Sequence, residues 1–234
     1  MPKADDGYTG PIRIPNNKFK SFFINTNGVV SFNQQLSYSG DITTPQNKSQ
    51  FIAPLWADID TRQSGEIFHK EIQDKVVLSK LKQEINNFEP NWAYEITWVN
   101  VHPYLTRYQA ANTNILSNSF QCIILSGHAN NSTALYAIFN YLNLIWPNQI
   151  FSKNLIVGFS ISDENKALAK NFQYNQDFSL EYSAKKSEEI ITKLMNESNC
   201  GRPGKWIFRL DSKGIFYLIE FFINSFLNFN LFQI

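Results

Sequence analysis

The sequence lacks the short motifs that identify several large enzyme classes. Its 234 residues contain no glycine-rich phosphate loop, no His-Glu-x-x-His and no paired Cys-x-x-Cys. These patterns supply an amide cradle for phosphate, imidazole ligands for zinc, and a thiol pair for metal or redox chemistry. Their absence removes most of the support for those classes. The nearest approach to a nucleophile motif, Gly158-Phe-Ser-Ile-Ser162, lacks the second glycine of the strand-to-helix elbow, so Ser160 is interpreted as a strand residue.

An excess of charge of either sign is also missing. The chain has 21 Lys and Arg against 20 Asp and Glu, which gives a formal charge of +1. The basic residues are scattered, so no long-range field attracts nucleic acid or an anionic membrane surface. No nucleic-acid partner is expected.

Cysteine is scarce. Cys122 lies in the apolar run 120–125, and Cys200 lies in the turn-like segment 199–204. The two residues permit one disulfide, which in an oxidising compartment would stabilise the fold by about 4 to 5 kcal/mol on the chain-entropy model. The alternative is that Cys122 is an apolar core residue and Cys200 is a free thiol. The sequence leaves both interpretations open.

The N-terminus has no apolar segment of the kind that directs secretion. Residues 1–8 contain neither an apolar run nor a small-residue cleavage site. If the protein is exported, its signal lies upstream. We therefore expect the chain to be a fragment or a truncated gene model.

The last residues, 213–234, form an apolar tail. The Ile, Leu and Phe residues within 215–234 favour insertion into a membrane, but Glu220 and several amide side chains offset that gain, so the sum is near neutral. The tail is a candidate membrane anchor. The alternatives are an apolar end that belongs with a missing neighbour, or translated non-coding sequence.

Aromatic residues are abundant. They make up 15% of the chain and include 20 phenylalanines, and aromatic side chains are enriched on the pleated faces of β-sheets. Residues 92–98 alternate strictly, so one face of a strand is expected to pack inward and the other to meet solvent. The inward face comprises Trp92, Tyr94, Ile96 and Trp98, and the outward face comprises Ala93, Glu95 and Thr97.

Turn signals divide the rest of the chain into further strands and two helices. Asn27-Gly28 accepts positive φ and predicts a tight hairpin within residues 21–32. The polar run 126–133 is interpreted as an exposed loop. Apolar residues recur at helical spacing in 77–85 and 190–195. The predicted class is mainly β: an antiparallel β-sandwich-like domain with two short amphipathic helices. Further strands are predicted at residues 120–125, 134–141, 156–161 and 205–211.

Asp58 and Asp60 are the leading candidates for a chemical role. Two residues apart, they would leave the same face of a strand, where they could bind Ca²⁺ or act as an acid–base pair. This would make the domain a calcium-dependent carbohydrate-binding or hydrolytic sandwich. The structural alternative is that they end a strand and accept hydrogen bonds from backbone amides of the following turn. The weaker candidates for a metal ligand are His69, His102 and His128.

The tryptophans have two interpretations. Indole rings could form a platform for sugars, with Trp146 the best exposed candidate, but the alternation with polar residues favours core packing. The five residues are Trp56, Trp92, Trp98, Trp146 and Trp206.

Four Asn-x-Ser/Thr sequons fall in contexts that could accept a glycan and agree with export. They begin at Asn47, Asn130, Asn131 and Asn196.

Several fragments occur in the order of a known family. They begin with the hairpin sequence 24–32, continue with Ile-Ala-Pro-Leu-Trp-Ala-Asp-Ile-Asp-Thr at 52–61, and end with Gly-Lys-Trp-Ile-Phe-Arg-Leu-Asp at 204–211. Between them lie Trp92, Thr97-Trp98, residues 119–121, residues 138–141, Trp146 and Gly158-Phe159. Together these fragments resemble the NIDO domain, the extracellular domain of nidogen and α-tectorin.

The resemblance implies a domain at residues 21–212, preceded by an arm at 1–20 and followed by the tail at 213–234. It implies a non-catalytic module of basement-membrane, tectorial-membrane and cell-surface proteins, associated with cell–matrix adhesion. The implied partners are extracellular matrix or cell-surface proteins, and the implied location is extracellular or at the cell surface. The family pattern gives no catalytic or cofactor-binding residues to carry over.

Overall fold

The computed structural model describes residues 1, 3–4, 7–15, 17–36, 50–62, 64–105, 116–146, 155–161 and 191–210. Asn47 and the tail 213–234 lie outside the described residues. Within the described part, no helix is both long and apolar enough to cross a bilayer. The elements are β1 (Tyr8–Arg13), β2 (Ser21–Asn25), β3 (Val30–Phe32), β4 (Phe51–Trp56), β5 (Ile59–Asp60), β6 (Glu66–Ile72), α1 (Lys75–Lys82), β7 (Phe88–Pro103), β8 (Asn118–Ala129), β9 (Ser132–Asn143), β10 (Ile156–Ser160) and β11 (Lys205–Arg209), with a second helical segment at 191–196.

The strands form two antiparallel sheets, which confirms the predicted mainly β class. One sheet has the order β1-β2-β3-β4-β10, so the N-terminal arm contributes an edge strand. The other has the order β11-β9-β8-β7-β5, and β6 also pairs with β7. β5 and β6 occupy successive parts of the same edge of β7, because Asp60 lies opposite His102 and Ile67 lies opposite Trp98.

The main core lies between the sheets and includes the predicted inward face of β7. Trp92, Tyr94, Ile96 and Trp98 are all buried, and the Phe22 ring packs edge-on to Tyr94 with 5.1 Å between centroids. The alternation predicted this face correctly because successive side chains of a strand point to opposite sides of the sheet.

The outward face of β7 differs from the prediction at Ala93, which is fully buried. Helix α1 packs over that half of the sheet, and its Leu78 belongs to the same apolar cluster as Ala93. The helix begins where Asp74 accepts hydrogen bonds from the amides of Val76 at 2.8 Å and Val77 at 3.1 Å. The helix and the strand that follows it in the chain therefore share a second, smaller core.

The polar run 126–133 is not a loop, contrary to the prediction. β8 continues through Ala129, β9 begins at Ser132, and the two-residue turn Asn130-Asn131 joins them. Both asparagines have positive φ, 49° and 58°, as a type I′ hairpin turn requires. The polar residues of this run belong to two strand ends, where His128 and Thr133 are exposed but Ser126 and Ala129 are buried.

The hairpin turn between β2 and β3 is buried. Asn25, Thr26 and Asn27 are each no more than 3% exposed. Asn25 Oδ1 accepts a hydrogen bond from the Asn27 amide at 2.7 Å, and Asn27 Oδ1 accepts one from the Ile59 amide at 2.6 Å. Because buried polar groups are costly unless they are paired, these bonds fix the start of β5 relative to the turn.

Thr26 connects this turn to two other parts of the chain. Its hydroxyl donates to the Gly7 carbonyl at 2.8 Å, which attaches the N-terminal arm. Its own carbonyl accepts from Trp98 Nε1 at 3.2 Å. Trp98 belongs to the opposite sheet, so one buried residue links the arm, the turn and both sheets.

Gly28 follows in the same turn with φ 77°, and a Cβ there would lie 2.0 Å from the Leu55 carbonyl oxygen. Gly201 provides a matched comparison, since its φ is 76° and a Cβ there would meet nothing within 4 Å. The first position needs glycine for both conformation and space, and the second needs it for conformation alone.

We predict that Gly28→Ala lowers the free energy of unfolding by about 4 kcal/mol or more, because the turn must move away from β4. Gly201→Ala is expected to cost only about 1 to 2 kcal/mol, the price of left-handed backbone for alanine. Urea unfolding of both variants tests this, and equal costs would show that the close approach at Leu55 has no energetic consequence.

Candidate functional site

One end of the sandwich collects residues from four separate segments, and we term it the β5 end. It comprises residues 57–62, 100–105, 116–119 and 142–146. The Tyr104 amide donates to the Asp58 carbonyl at 2.7 Å, and Val101 lies opposite Asn118 across β7 and β8. The backbone of this end is thus continuous with the ladders of the six-stranded sheet.

Asp60 pairs with Arg62 at this end. Asp60 Oδ1 accepts from the amide and Nε of Arg62, each at 2.9 Å, and Oδ2 accepts from Nη2 at 2.7 Å. Burial alone would raise the pKa of Asp60, but the hydrogen bonds and charge of Arg62 outweigh it and lower the pKa. Both carboxylate oxygens are occupied by a bidentate partner.

Asp58 occupies a different setting from Asp60. It is half-buried and immediately precedes β5, whereas Asp60 is the second residue of that strand. The hydrogen bond from the Arg62 amide to Asp60 agrees with the structural alternative, in which the carboxylate accepts from a backbone amide of the following turn. Among the described residues, no group of three or more His, Cys, Asp or Glu side chains could hold a metal ion.

Arg62 extends the charged pair toward an aromatic residue. Its guanidinium carbon lies 5.9 Å from the ring centroid of Tyr104, within cation–π range. The Arg62 side chain is 52% exposed even with its carboxylate partner. Nearby, His102 Nε2 and the Ser64 hydroxyl are 2.9 Å apart, and burial lowers the pKa of His102.

Asn118 fixes the other side of the β5 end. Its side chain is fully buried, and Oδ1 accepts from the amides of Ile145 at 2.7 Å and Trp146 at 3.2 Å. Trp146 Nε1 donates to the Val101 carbonyl at 3.1 Å. A buried amide and a buried indole therefore hold the segment after β9 against β7.

Trp146 is only 3% exposed, so its prediction as the best exposed sugar platform is wrong. The other tryptophans are buried as well, which confirms the core interpretation. The prediction rested on the position of Trp146 next to a predicted strand end. In the structure its indole N–H donates to a buried backbone carbonyl, which allows the ring to be buried. The buried set is Trp56, Trp92, Trp98, Trp146 and Trp206.

The sequence did not predict the exposed apolar side chains at this end. Leu142 is 62% exposed and Ile145 is 43% exposed. Tyr104 and Leu116 at the same end are exposed too. Single exposed apolar residues are ordinary, but a group at one end of a domain is typical of an interaction surface. The signal is invisible along the chain because the residues come from three distant segments.

The remaining histidines lie away from Asp60. His69 is in β6, where Nδ1 is 2.8 Å from the Tyr94 hydroxyl, and burial lowers the pKa of His69. His128 is an exposed residue of β8 opposite Thr133. Of the three histidines, the structure therefore places only His102 beside Asp60, opposite it across β5 and β7.

Cys122 and Cys200 are free in the structure and are not joined by a disulfide. Cys122 is fully buried on the inward face of β8, and burial raises the pKa of its thiol. Cys200 Sγ donates to the Lys205 carbonyl at 3.4 Å. Cys122 is therefore a buried core residue, as in the second of the two interpretations of the sequence.

The sequons within the described residues are exposed. Asn130 and Asn131 form the β8–β9 turn, and Asn196 lies at the end of the helical segment 191–196.

Comparison with known proteins gives a consistent result. A family model described as the nidogen-like domain, NIDO, matches residues 20–212. The chain is 28% identical over 233 residues to α-tectorin of Mus musculus, covering 92% of this chain and 10% of the relative. It is 26% identical over 241 residues to nidogen-2 of Mus musculus, covering 91% and 16%. No solved structure shows a significant match.

A further relative is dendrite extension defective protein 1 of Caenorhabditis elegans, 27% identical over 206 residues, covering 86% of this chain and 16% of the relative. The chain thus spans between 10% and 16% of the length of these curated relatives. The similarity concerns one domain of much longer proteins.

The Asp60–Arg62 pair predicts a pH dependence of stability. Because the folded pKa of Asp60 is lowered, the stabilisation is present above the unfolded pKa of about 4 and is lost as pH falls through the folded pKa. We expect Asp60→Asn to cost about 1 kcal/mol or less at neutral pH, and the cost to shrink near pH 3. Urea unfolding at both pH values measures this cost.

The control is Glu89→Gln, which breaks the exposed Lys82–Glu89 pair and should have no comparable effect. A cost of Asp60→Asn that does not change with pH would show that the charged pair does not stabilise the fold.

Calcium provides a separate prediction. Since Arg62 occupies both oxygens of Asp60, we expect calcium and chelator to leave the melting temperature unchanged within about 1 °C. A bound ion at 100 times its Kd would instead add about 2.7 kcal/mol, equivalent to several degrees. Stabilisation by calcium that Asp58→Asn abolishes would support the metal-site hypothesis instead.

Proposed function

The chain belongs to the nidogen-like (NIDO) domain family, and from this premise we propose that it is a non-enzymatic binding module that contributes to cell–matrix adhesion. Its partners are extracellular matrix or cell-surface proteins, and its location is extracellular or at the cell surface. Two kinds of evidence support the proposal: the family of the domain and the character of the β5 end.

Membership of the family supports the proposed extracellular setting. Nidogens and tectorin, which contain this domain, are extracellular matrix proteins, and the chain aligns with them over most of its length. Adhesion and the identity of the partner are inferences that go beyond this similarity, so binding must be measured directly.

The β5 end supports the location of the binding surface. Half of the exposed large apolar side chains of the described residues lie there, and the observation that carries the proposal is this concentration. The full set is Tyr8, Phe68, Val76, Val77, Tyr104, Leu116, Leu142 and Ile145.

The chemistry of this end suits a protein partner. Tyrosine and arginine are enriched among the residues that dominate binding energy at interfaces, and Arg62 and Tyr104 lie together here. The charge of Arg62 is largely balanced by Asp60, so burying it against a partner does not leave an isolated charge. The buried Asn118 contacts hold the apolar residues on a fixed backbone, which lowers the entropic cost of association.

The test is saturable binding of the folded domain to immobilised laminin-rich or collagen-rich matrix, with an unfolded sample as control. We predict that the double variant Leu142→Ser/Ile145→Ser binds at least tenfold more weakly, a loss of about 1.4 kcal/mol. Val76→Ser, on α1 at the other end of the sheet, is the matched control because Val76 is 66% exposed. It should bind within about twofold of the unmodified domain.

Circular dichroism and thermal unfolding establish that each variant is folded before binding is compared. Equal binding by the double variant and the unmodified domain would remove the β5 end from the proposal. Absence of saturable binding to either matrix would contradict the adhesion proposal itself.

A further inference from the structure

We propose that Asn131, in the turn between β8 and β9, is an N-glycosylation site that carries a single oligosaccharide. The inference rests on the proposed function, because N-glycosylation takes place in the secretory pathway. The glycosyl donor is an oligosaccharide linked to a lipid pyrophosphate. The bond between the sugar C1 and the pyrophosphate oxygen breaks and a bond from C1 to Asn131 Nδ2 forms. Nδ2 loses one proton, which is taken up by the departing lipid pyrophosphate.

The turn presents its asparagines at the tip of a regular hairpin. Ala129 lies opposite Ser132, so only Asn130 and Asn131 lie outside the ladder. Both are exposed and both have positive φ. In such a turn the side chains project from the end of the hairpin, where an attached oligosaccharide meets no neighbouring strand.

The turn conformation explains asparagine at both positions, since asparagine is the residue other than glycine that most readily adopts positive φ. It does not explain the hydroxyl residues two positions later, Ser132 for Asn130 and Thr133 for Asn131. The pairing of each asparagine with a hydroxyl is the acceptor pattern for an N-linked glycan.

The two sequons differ in the state of their hydroxyl residues. Ser132 is half-buried and already engaged in an interaction within the protein, whereas Thr133 is exposed. Adjacent Cα atoms are about 3.8 Å apart, which is too close for two branched oligosaccharides on neighbouring residues. These observations favour one glycan, on Asn131.

Asn196 is a weaker acceptor by the same criteria. The residue after it, Glu197, donates its amide to Lys193 at 2.9 Å, and its carbonyl accepts from the Gly204 amide at 3.0 Å. The middle of that sequon is therefore held by the backbone on both sides. The β8–β9 turn has no such bridge to a distant segment across its tip among the described contacts.

The position of the glycan bears on binding. β8 runs from Asn118 at the β5 end to Ala129 beside the turn, a separation of roughly 35 to 40 Å for an extended strand of this length. An oligosaccharide on Asn131 covers the α1 end of the six-stranded sheet and leaves the β5 end accessible.

The experiment expresses the full chain behind an added secretion signal in cultured animal cells, and maps glycans by mass spectrometry after enzymatic release in heavy-oxygen water. Release converts a glycosylated asparagine into aspartate that carries the heavy isotope. We expect the label at Asn131. If little protein is secreted, the same mapping is applied to the chain retained in the cell lysate.

Two variants that keep both asparagines separate the sequons. Thr133→Ala removes the Asn131 sequon and is expected to abolish the label at the turn. Ser132→Ala removes only the Asn130 sequon and is expected to retain the label. An unlabelled turn in the unmodified chain, or a label lost in Ser132→Ala and kept in Thr133→Ala, would overturn the inference.

Failure of the glycan proposal and failure of the adhesion proposal can be told apart. A labelled Asn131 in a domain that binds no matrix would uphold the glycan and reject adhesion. Matrix binding by a chain without label at the turn would uphold adhesion and reject the glycan.

Discussion

The buried turn at residues 25–28 is the constraint on which the rest of the structure depends. Its polar groups lie between two sheets where water does not reach, so each must find a partner in the protein. Thr26 finds Gly7 and Trp98, Asn27 finds the amide of Ile59, and Gly28 lies directly under Leu55. These partners come from the arm, from both sheets and from the start of β5. A shift of one sheet over the other would break several buried bonds at once, so the turn fixes how the sheets are docked.

The same constraint reaches the β5 end. Once Ile59 is bonded to Asn27, Asp60 is set opposite His102, and Arg62 is left to fold back over the Asp60 carboxylate. On the other side of β7, Asn118 holds the segment that carries Ile145. A surface built in this way has exposed side chains on a backbone held by buried hydrogen bonds, which is the arrangement expected of a binding site that does not rearrange when it is occupied. Because the net charge of the chain is close to zero, we expect recognition to depend on shape and apolar contact more than on a long-range electrostatic field.

Much of the fold could be predicted because its signals are local. The strict alternation of β7 and the Asn27-Gly28 pair each depend on a few consecutive residues, and the structure contains both the inward face and the hairpin. What could not be predicted depends on contacts between distant segments. Ala93 is buried because α1 happens to cover it, and Trp146 is buried because Asn118 and Val101 draw its segment inward. The exposed apolar group at the β5 end is likewise a product of topology. The polar run 126–133 was wrongly predicted as a loop because polar residues, of which Ser126 is buried, continue both strands up to the turn.

We propose that the domain binds matrix through the β5 end, which the buried turn holds in place. Amide hydrogen exchange of the domain, with and without a laminin-rich or collagen-rich matrix, tests it most directly. We expect matrix to slow exchange in residues 57–62, 100–105 and 142–146 and to leave the amides around the β8–β9 turn unchanged. Protection confined to α1 and the β8–β9 turn, with the β5 end unaffected, would contradict it.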